Sequence, residues 1–197
     1  RLSLGISSVV VLMCLTFGIL AGYIAGFYGG IFDKVFLYIA DVFQAFPGIL
    51  LAIAVSAFIE PSVMNLIWLL SFVGWVSYAR VVRAQILELK TREFIAAGQS
   101  IGVSSFRMLR CYVLPNIAAP LIIQASFGMA GVILAESTLS FLGLGLPANV
   151  PSLGKMLDHG VNLLLVAPHV SVFPGAVIMF FVLSFNLLGD KLRARFL

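Results

Sequence analysis

The stretch LGISSVVVLMCLTFGILAGYIAGF, residues 4–27, decides the fold. It carries no charged residue, and it is longer than the roughly 20 apolar residues a helix needs to cross a bilayer. Strands of an outer-membrane barrel run to about 10 residues and alternate in polarity. This run does neither. Backbone surrounded by hydrocarbon must satisfy its own N–H and C=O groups, and a helix does so within one segment. Four more apolar runs follow, at 35–58, 63–79, 117–144 and 170–189. The chain as a whole agrees, with 61% hydrophobic and 10% charged residues among its 197. Soluble domains carry roughly 45–50% and about 25%. The sequence therefore predicts an all-α polytopic membrane bundle, one transmembrane domain over 1–197 with five spans. A soluble enzyme and a disordered chain are excluded, the latter because it needs the opposite composition.

The segments between the runs set the orientation. Loops 28–34 and 80–116 and the tail 190–197 fall on one side if the spans alternate. That side holds Lys34, Arg80, Arg83, Lys90, Arg92, Arg107, Arg110, Lys191, Arg193 and Arg195, and the other holds only Arg1 and Lys155. Lys and Arg collect in cytoplasmic loops, so the first side, with the C-terminus, is predicted to be cytoplasmic. The net charge of +4 is thus a topology signal, and nucleic acid is not an expected partner. Five spans put Arg1 outside with no signal peptide ahead of it. This leads us to expect a further helix before residue 1. The external loop 145–169 contains an apolar piece, 161–167, too short to span and suited to the interface or to re-entry.

Polar groups inside the runs are the default candidates for a pathway. Gly18, Gly22 and Gly26 lie on one face and allow close helix packing. Asp41 and Gln44 open the second run, and Glu136 lies deep in the fourth. A carboxylate at bilayer centre costs about 2.5–3.5 kcal/mol on insertion scales, so such groups face a path, a partner or water. Asp41 fits either the interface or a cavity. Glu136 fits either a pathway or structural pairing. Pro47, Pro120 and Pro174 each remove an N–H and favour a kink. Cys14 and Cys111 have no partner in sequence for a disulfide or metal framework. Neither catalytic residues nor a metal site are expected, because no phosphate loop, zinc motif or nucleophile elbow occurs.

The basic loop is the strongest feature. Residues 92–100 (REFIAAGQS) read as a helix with Phe94, Ile95, Ala97, Gly98 and Ile101 on an apolar side. Gly102 breaks it. Ser104 and Ser105 are placed to cap a second helix, and Leu114-Pro115 starts the next span. Two amphipathic pieces meeting at a glycine form a docking surface that needs a cover, either a protein partner or the membrane surface.

Here the sequence resembles the permeases of ATP-binding-cassette importers. Their cytoplasmic motif has EAA, three residues, Gly, nine residues, then Ile-x-Leu-Pro. Ala96-Ala97-Gly98, Gly102, Tyr112 and Leu114-Pro115 match that spacing. Ala96 replaces Glu, Gly98 replaces Ala and Tyr112 replaces Ile, and Glu93 stands one turn before the lost acid. Phe46-Pro47, residues 140–145 (SFLGLG), 151–157 (PSLGKML) and 185–190 (FNLLGD) resemble the dipeptide, oligopeptide and nickel branch. The resemblance covers nearly the whole chain. It implies the type I importer permease fold, with one family helix before Arg1, and a second-permease subunit in the bacterial inner membrane. It implies a homologous or identical partner permease, two cytoplasmic ATPase subunits and an external substrate-binding protein. ATP and Mg would sit on the ATPases, with no cofactor in this chain. Residues 92–104 would seat Phe94, Ile95, Ala97 and Ile101 in an ATPase cleft. Asp41, Gln44, Glu136 and Asn186 would be path or gate candidates. Nickel or another small solute is the alternative cargo. An ion-coupled carrier using Asp41 and Glu136 is the alternative mechanism, although inverted repeats and broken helix pairs, common in such carriers, are not seen in the sequence. An intramembrane enzyme would need paired catalytic groups at matching depth.

Overall fold

The computed structural model describes residues 1–147 and 149–196. Ala148, in the expected external loop, and Leu197, at the end of the expected tail, lie outside the described residues. The described residues form helices and turns without a strand. Helix α1, Leu2–Tyr23, continues through one π-helical turn, Ile24–Tyr28. Helices α2, Gly30–Gln44, and α3, Gly48–Ser56, follow. Helix α4 is Val63–Leu89, and α5 is Glu93–Ser100. The single turn α6, Ser105–Arg107, and a second π-helical turn, Met108–Val113, lead straight into α7, Leu114–Phe141. Helix α8 is Leu153–Val161, and α9 is His169–Phe196.

Among the described residues, four helices or continuous helical runs are long and apolar enough to cross a membrane, and a fifth if the bent pair α2–α3 counts as one span. The 35–58 run is therefore not one straight helix but a broken helix pair, contrary to the expectation from the sequence that there is none. Its two halves meet at 77°. Proline disfavours the α conformation of the residue before it and cannot donate a hydrogen bond, and Pro47 stands as the N-cap of α3 with φ −56° and ψ 123°. Pro120 and Pro174, by contrast, lie inside unbroken helices.

The loop 80–116 is much shorter than its charges imply. Helix α4 runs on to Leu89, past Arg80 and Arg83. Both arginines have carboxylates waiting on α2: Arg80 lies 2.5 Å from Asp41, and Arg83 pairs with Asp33. Charge therefore marks the end of the apolar run but not the end of the helix. The second loop helix is likewise the first turn of a continuous run, Ser105–Phe141. Ser104 sits at its N-cap without a side-chain hydrogen bond. The segment between α7 and α9 holds a helix of its own, α8, capped by Ser152 through Lys155 N–H. The tail beyond 189 remains helical to Phe196.

The seam between α1 and α4 organises the bundle. Lipid gives helices no hydrophobic reason to associate, so close backbone approach has to supply the attraction. Gly18, Gly22 and Gly26 all face α4. A β-carbon on Gly22 would lie 2.5 Å from the Ala79 carbonyl oxygen, and one on Gly18 would lie 2.6 Å from Tyr78 Cβ. The glycine stripe thus acts in packing inside one chain. Ile6, Val10, Cys14, Leu70, Tyr78 and Leu139 fill the core toward the end opposite the basic one. Val82, Ile86, Ile95, Met108 and Ile117 fill it at the basic end.

Candidate functional site

Two places gather functional side chains: the elbow at the basic end and a groove at mid-depth. The elbow begins at Arg92, the N-cap of α5, with Glu93 in the first turn where helix N-termini favour acids. Two stripes divide this helix. Phe94, Ala97 and Ile101, at spacing three and four, point outward, Phe94 39% and Ile101 77% exposed. Ile95 and Gly98 point inward. Ile95 is 2% exposed and packs in the cluster of Val82, Ile86 and Met108. Gly98 closes on Met108, whose Cε would stand 2.8 Å from an added β-carbon. Ile95 therefore does not belong to the outward surface where the sequence pattern placed it. A residue adjacent to Phe94 is rotated by about 100° on a helix, and the bundle takes that side. Glu93 and Ala96 are exposed, Leu114 is half-buried, and Pro115 is exposed.

The turn after α5 is a Schellman closure. Val103 N–H donates to Gly98 O at 3.0 Å, and Gly102 N–H to Gln99 O at 3.0 Å. Gly102 has φ +74°, the left-handed conformation this closure uses and β-carbons resist. Three side chains then tie the elbow to its neighbours. Tyr23 Oη donates to Ser105 O at 2.8 Å, Tyr28 Oη donates to Ser105 Oγ at 2.8 Å, and Lys90 Nζ donates to Phe27 O at 2.8 Å. Both tyrosines and Phe27 sit at or in the π-helical turn of α1, and Tyr23 stacks on Phe27 with centroids 4.9 Å apart. Sequence reading missed Tyr23, Tyr28 and Lys90 as elbow residues. The tyrosines lie 82 and 77 positions from Ser105, and no local pattern connects them.

The groove, about 410 Å³, lies between α3, α4 and α7. Gly48, Ser77, Tyr78, Gln124, Gly128 and Thr138 are among its walls. Tyr78 is 4% exposed, and its hydroxyl occupies the space that a β-carbon on Gly128 would need. Only glycine at 128 leaves room for it.

None of the four expected path residues lines this groove. Asp41 is exposed and paired with Arg80, and Gln44 is exposed at the end of α2. Asn186 is half-buried on α9. Glu136 is fully buried near the C-terminal end of α7, where its Oε1 accepts from Ser140 Oγ at 2.9 Å. Among the described residues its Oε2 has no partner. The structure leaves these four scattered. Gln124, a polar group in the middle of the 117–144 run, was the available signal for the groove.

Comparison with known proteins places this geometry. Residues 18–196 match the family described as binding-protein-dependent transport system inner membrane component. The chain is 41% identical over 193 residues to the dipeptide transport system permease protein DppC of Alkalihalophilus pseudofirmus, covering 98% of this chain and 64% of that one. It is 37% identical to the glutathione transport system permease protein GsiD of Pectobacterium atrosepticum, covering 98% and 64%. It is 33% identical to the oligopeptide transport system permease protein OppC of Bacillus subtilis, covering 98% and 63%. The chain thus spans a little under two-thirds of the length of each of these relatives. A chain of the MetNI methionine ABC transporter, solved in inward-facing conformations, superposes with a TM-score of 0.73 at 20% identity, covering 98% of this chain and 92% of that one. That likeness concerns the fold, the type I importer permease arrangement of helices. With nearly its whole length matched, from the glycine seam through the elbow to α9, the chain belongs to the family of binding-protein-dependent transport system inner membrane components.

Proposed function

We propose that this chain is one of the two permease halves of an ATP-driven importer of short peptides in a bacterial inner membrane. Its relatives named for dipeptide, oligopeptide and glutathione transport support the cargo class. The excess of Lys and Arg on the elbow side supports a cytoplasmic elbow and C-terminus. A homologous or identical permease completes the path, two ATPase subunits dock below, and a binding protein delivers cargo from outside. ATP and Mg belong to the ATPases.

The observation that carries this reading is the division of α5. Its inner stripe, Ile95 and Gly98, is locked into the bundle, and its outer stripe, Phe94, Ala97 and Ile101, is left for a partner. A helix held this way behaves as a handle. Displacement of the outer face by an ATPase moves α1, α4 and α7 together, because Ile95 and Met108 pack among side chains of all three. Rigid-body rocking of one bundle against its partner then alternates access to the path. Glu93, Ala96, Gly102, Leu114 and Pro115 shape and orient the handle.

The test replaces Ile101 with Asp in the full-length protein. The ATPase pair is expected to stop copurifying, and ATP-dependent peptide uptake into proteoliposomes to fall about tenfold or more, as for truncation of an anchor in a buried contact. Uptake of equal rate in vesicles lacking ATPases would overturn the reading.

A further inference from the structure

We infer that the groove between α3, α4 and α7 is a carboxylate subsite. In it the uncapped N-terminus of α3 and the Tyr78 hydroxyl receive the C-terminal carboxylate of a passing peptide. This deepens the importer reading and rests on it.

The first observation is the direction of α3. Gly48, its first residue, lies against Val73, and Ser56, its last, shares a crevice with Leu66 and Leu69. Helix α3 therefore runs antiparallel to α4, and its N-terminus is aimed along α4 toward Ser77 and Tyr78. Its first intrahelical bond runs from Leu51 N–H to Pro47 O at 3.0 Å. The N–H groups of Gly48, Ile49 and Leu50 have no carbonyl one turn back, and no side chain caps them. Such an end carries about half a positive charge and favours an anion. Gly48, with no side chain, lets a ligand come up to the backbone.

The second observation is Tyr78. This side chain is buried, lines the groove, and among the described residues has no hydrogen-bond partner. Gly128 makes the space into which its hydroxyl reaches. Gln124 adds donors and an acceptor on the facing wall. Acyl chains would leave all these groups unpaired, at a cost of a few kcal/mol each.

The third observation is the break itself. Residues 45–47 are non-helical and exposed at the foot of α3. Irregular backbone at membrane depth persists only where protein covers it or water reaches it. This side of the chain therefore faces protein or water and not lipid. No charged side chain lines the groove, so the anion meets only partial charges. It is held briefly and released, as a conduit requires.

The experiment uses the full-length chain assembled with its partner permease, ATPases and binding protein in proteoliposomes. Gly48→Pro removes one N–H and little else, since proline suits the first helical position and Pro47 already has the extended conformation proline demands before it. Gly48→Ala keeps the N–H. Uptake of labelled alanyl-alanine per assembled complex is expected to be about tenfold lower for proline than for alanine, the loss of one hydrogen bond to a charged group. In a second arm, Ser77→Cys in a Cys14→Ala, Cys111→Ala background, which leaves no other thiol in the chain, is treated with anionic and cationic methanethiosulfonates. Relative to their rates with a small free thiol, the anionic reagent is expected to be about threefold faster, in keeping with a helix-end potential. Equal uptake by the two Gly48 variants overturns the subsite. So does a Ser77→Cys variant inert to both reagents, the result if a partner helix or lipid fills the groove. Wild-type vesicles that take up no peptide, while the anionic preference persists, would instead sink the importer reading and leave the anion site standing.

Discussion

The two ends of the bundle are built on different principles. At the basic end, the elbow is held by hydrogen bonds from Tyr23, Tyr28 and Lys90 that reach across long stretches of chain, and by the buried pair Ile95 and Met108. At the opposite end, segment 145–169 rests on contacts between small groups. Gly145 abuts Ser140, Gly154 abuts the Ser137 carbonyl, and Gly160 abuts Ser171. One long side chain, Lys155, reaches back to the Pro147 carbonyl. Beyond α8, Leu165 and Val166 stand fully or almost fully exposed. The contrast is between a tethered end and a propped one. One end is cross-tied to several helices, whereas the other is propped against α7 and α9 and leaves its tip uncovered.

The largest effect should come from breaking the cross-tied end. Gly102→Val forces a β-branched residue to φ +74°. The strain is about 1–3 kcal/mol, and relieving it turns α5 away from the bundle. We expect assembled complex that hydrolyses ATP but loses most peptide uptake, read as transported peptide per ATP. Wild-type coupling in this variant would mean that the turn does not set the angle. A smaller effect is expected from Tyr23→Phe. It removes the hydroxyl donated to Ser105 O and keeps the stacked ring, at about 1 kcal/mol. Faster amide hydrogen exchange across residues 100–110, with a several-fold drop in coupling, would sharpen the comparison. Unchanged exchange would show that the tie carries no strain. The smallest effect belongs to the opposite end. Lys155→Met deletes one bond to the Pro147 carbonyl and should lower thermal stability by at most about 1 kcal/mol. Uptake within twofold of wild type is expected. A larger loss would mean that the propped end is stiffer than its contacts suggest.

How much of this was legible before the structure depends on the range of the interaction. Hydrophobic runs and the stripe Gly18, Gly22, Gly26 are local patterns, and they gave the bundle and its tightest seam. The turn at Gly102 was visible because the left-handed conformation selects glycine. The helix ends were not visible. Arg80 and Arg83 looked like loop residues because their partners, Asp41 and Asp33, stand 39 and 50 positions away. Periodicity gave α5 an apolar side but not which half of it the bundle would claim, and so Ile95 was placed outward. Pro47 predicts a kink within one span but not a bend of 77°, since a proline alone does not state an angle. The groove was hidden most completely. Its polar wall depends on Tyr78 from α4 fitting over Gly128 on α7, a match between two helices that neither segment encodes alone.

Helix α9 has one more property. Phe173, Phe180, Leu183 and Leu187 leave more than half of each side chain's surface uncovered. In water such a flank would stick to whatever it met. Hydrocarbon is as apolar as leucine, so there it gains nothing by adhering. Under the rocking proposed above, such a flank turned to acyl tails is a lubricated bearing, because the bundle tilts without breaking contacts along it.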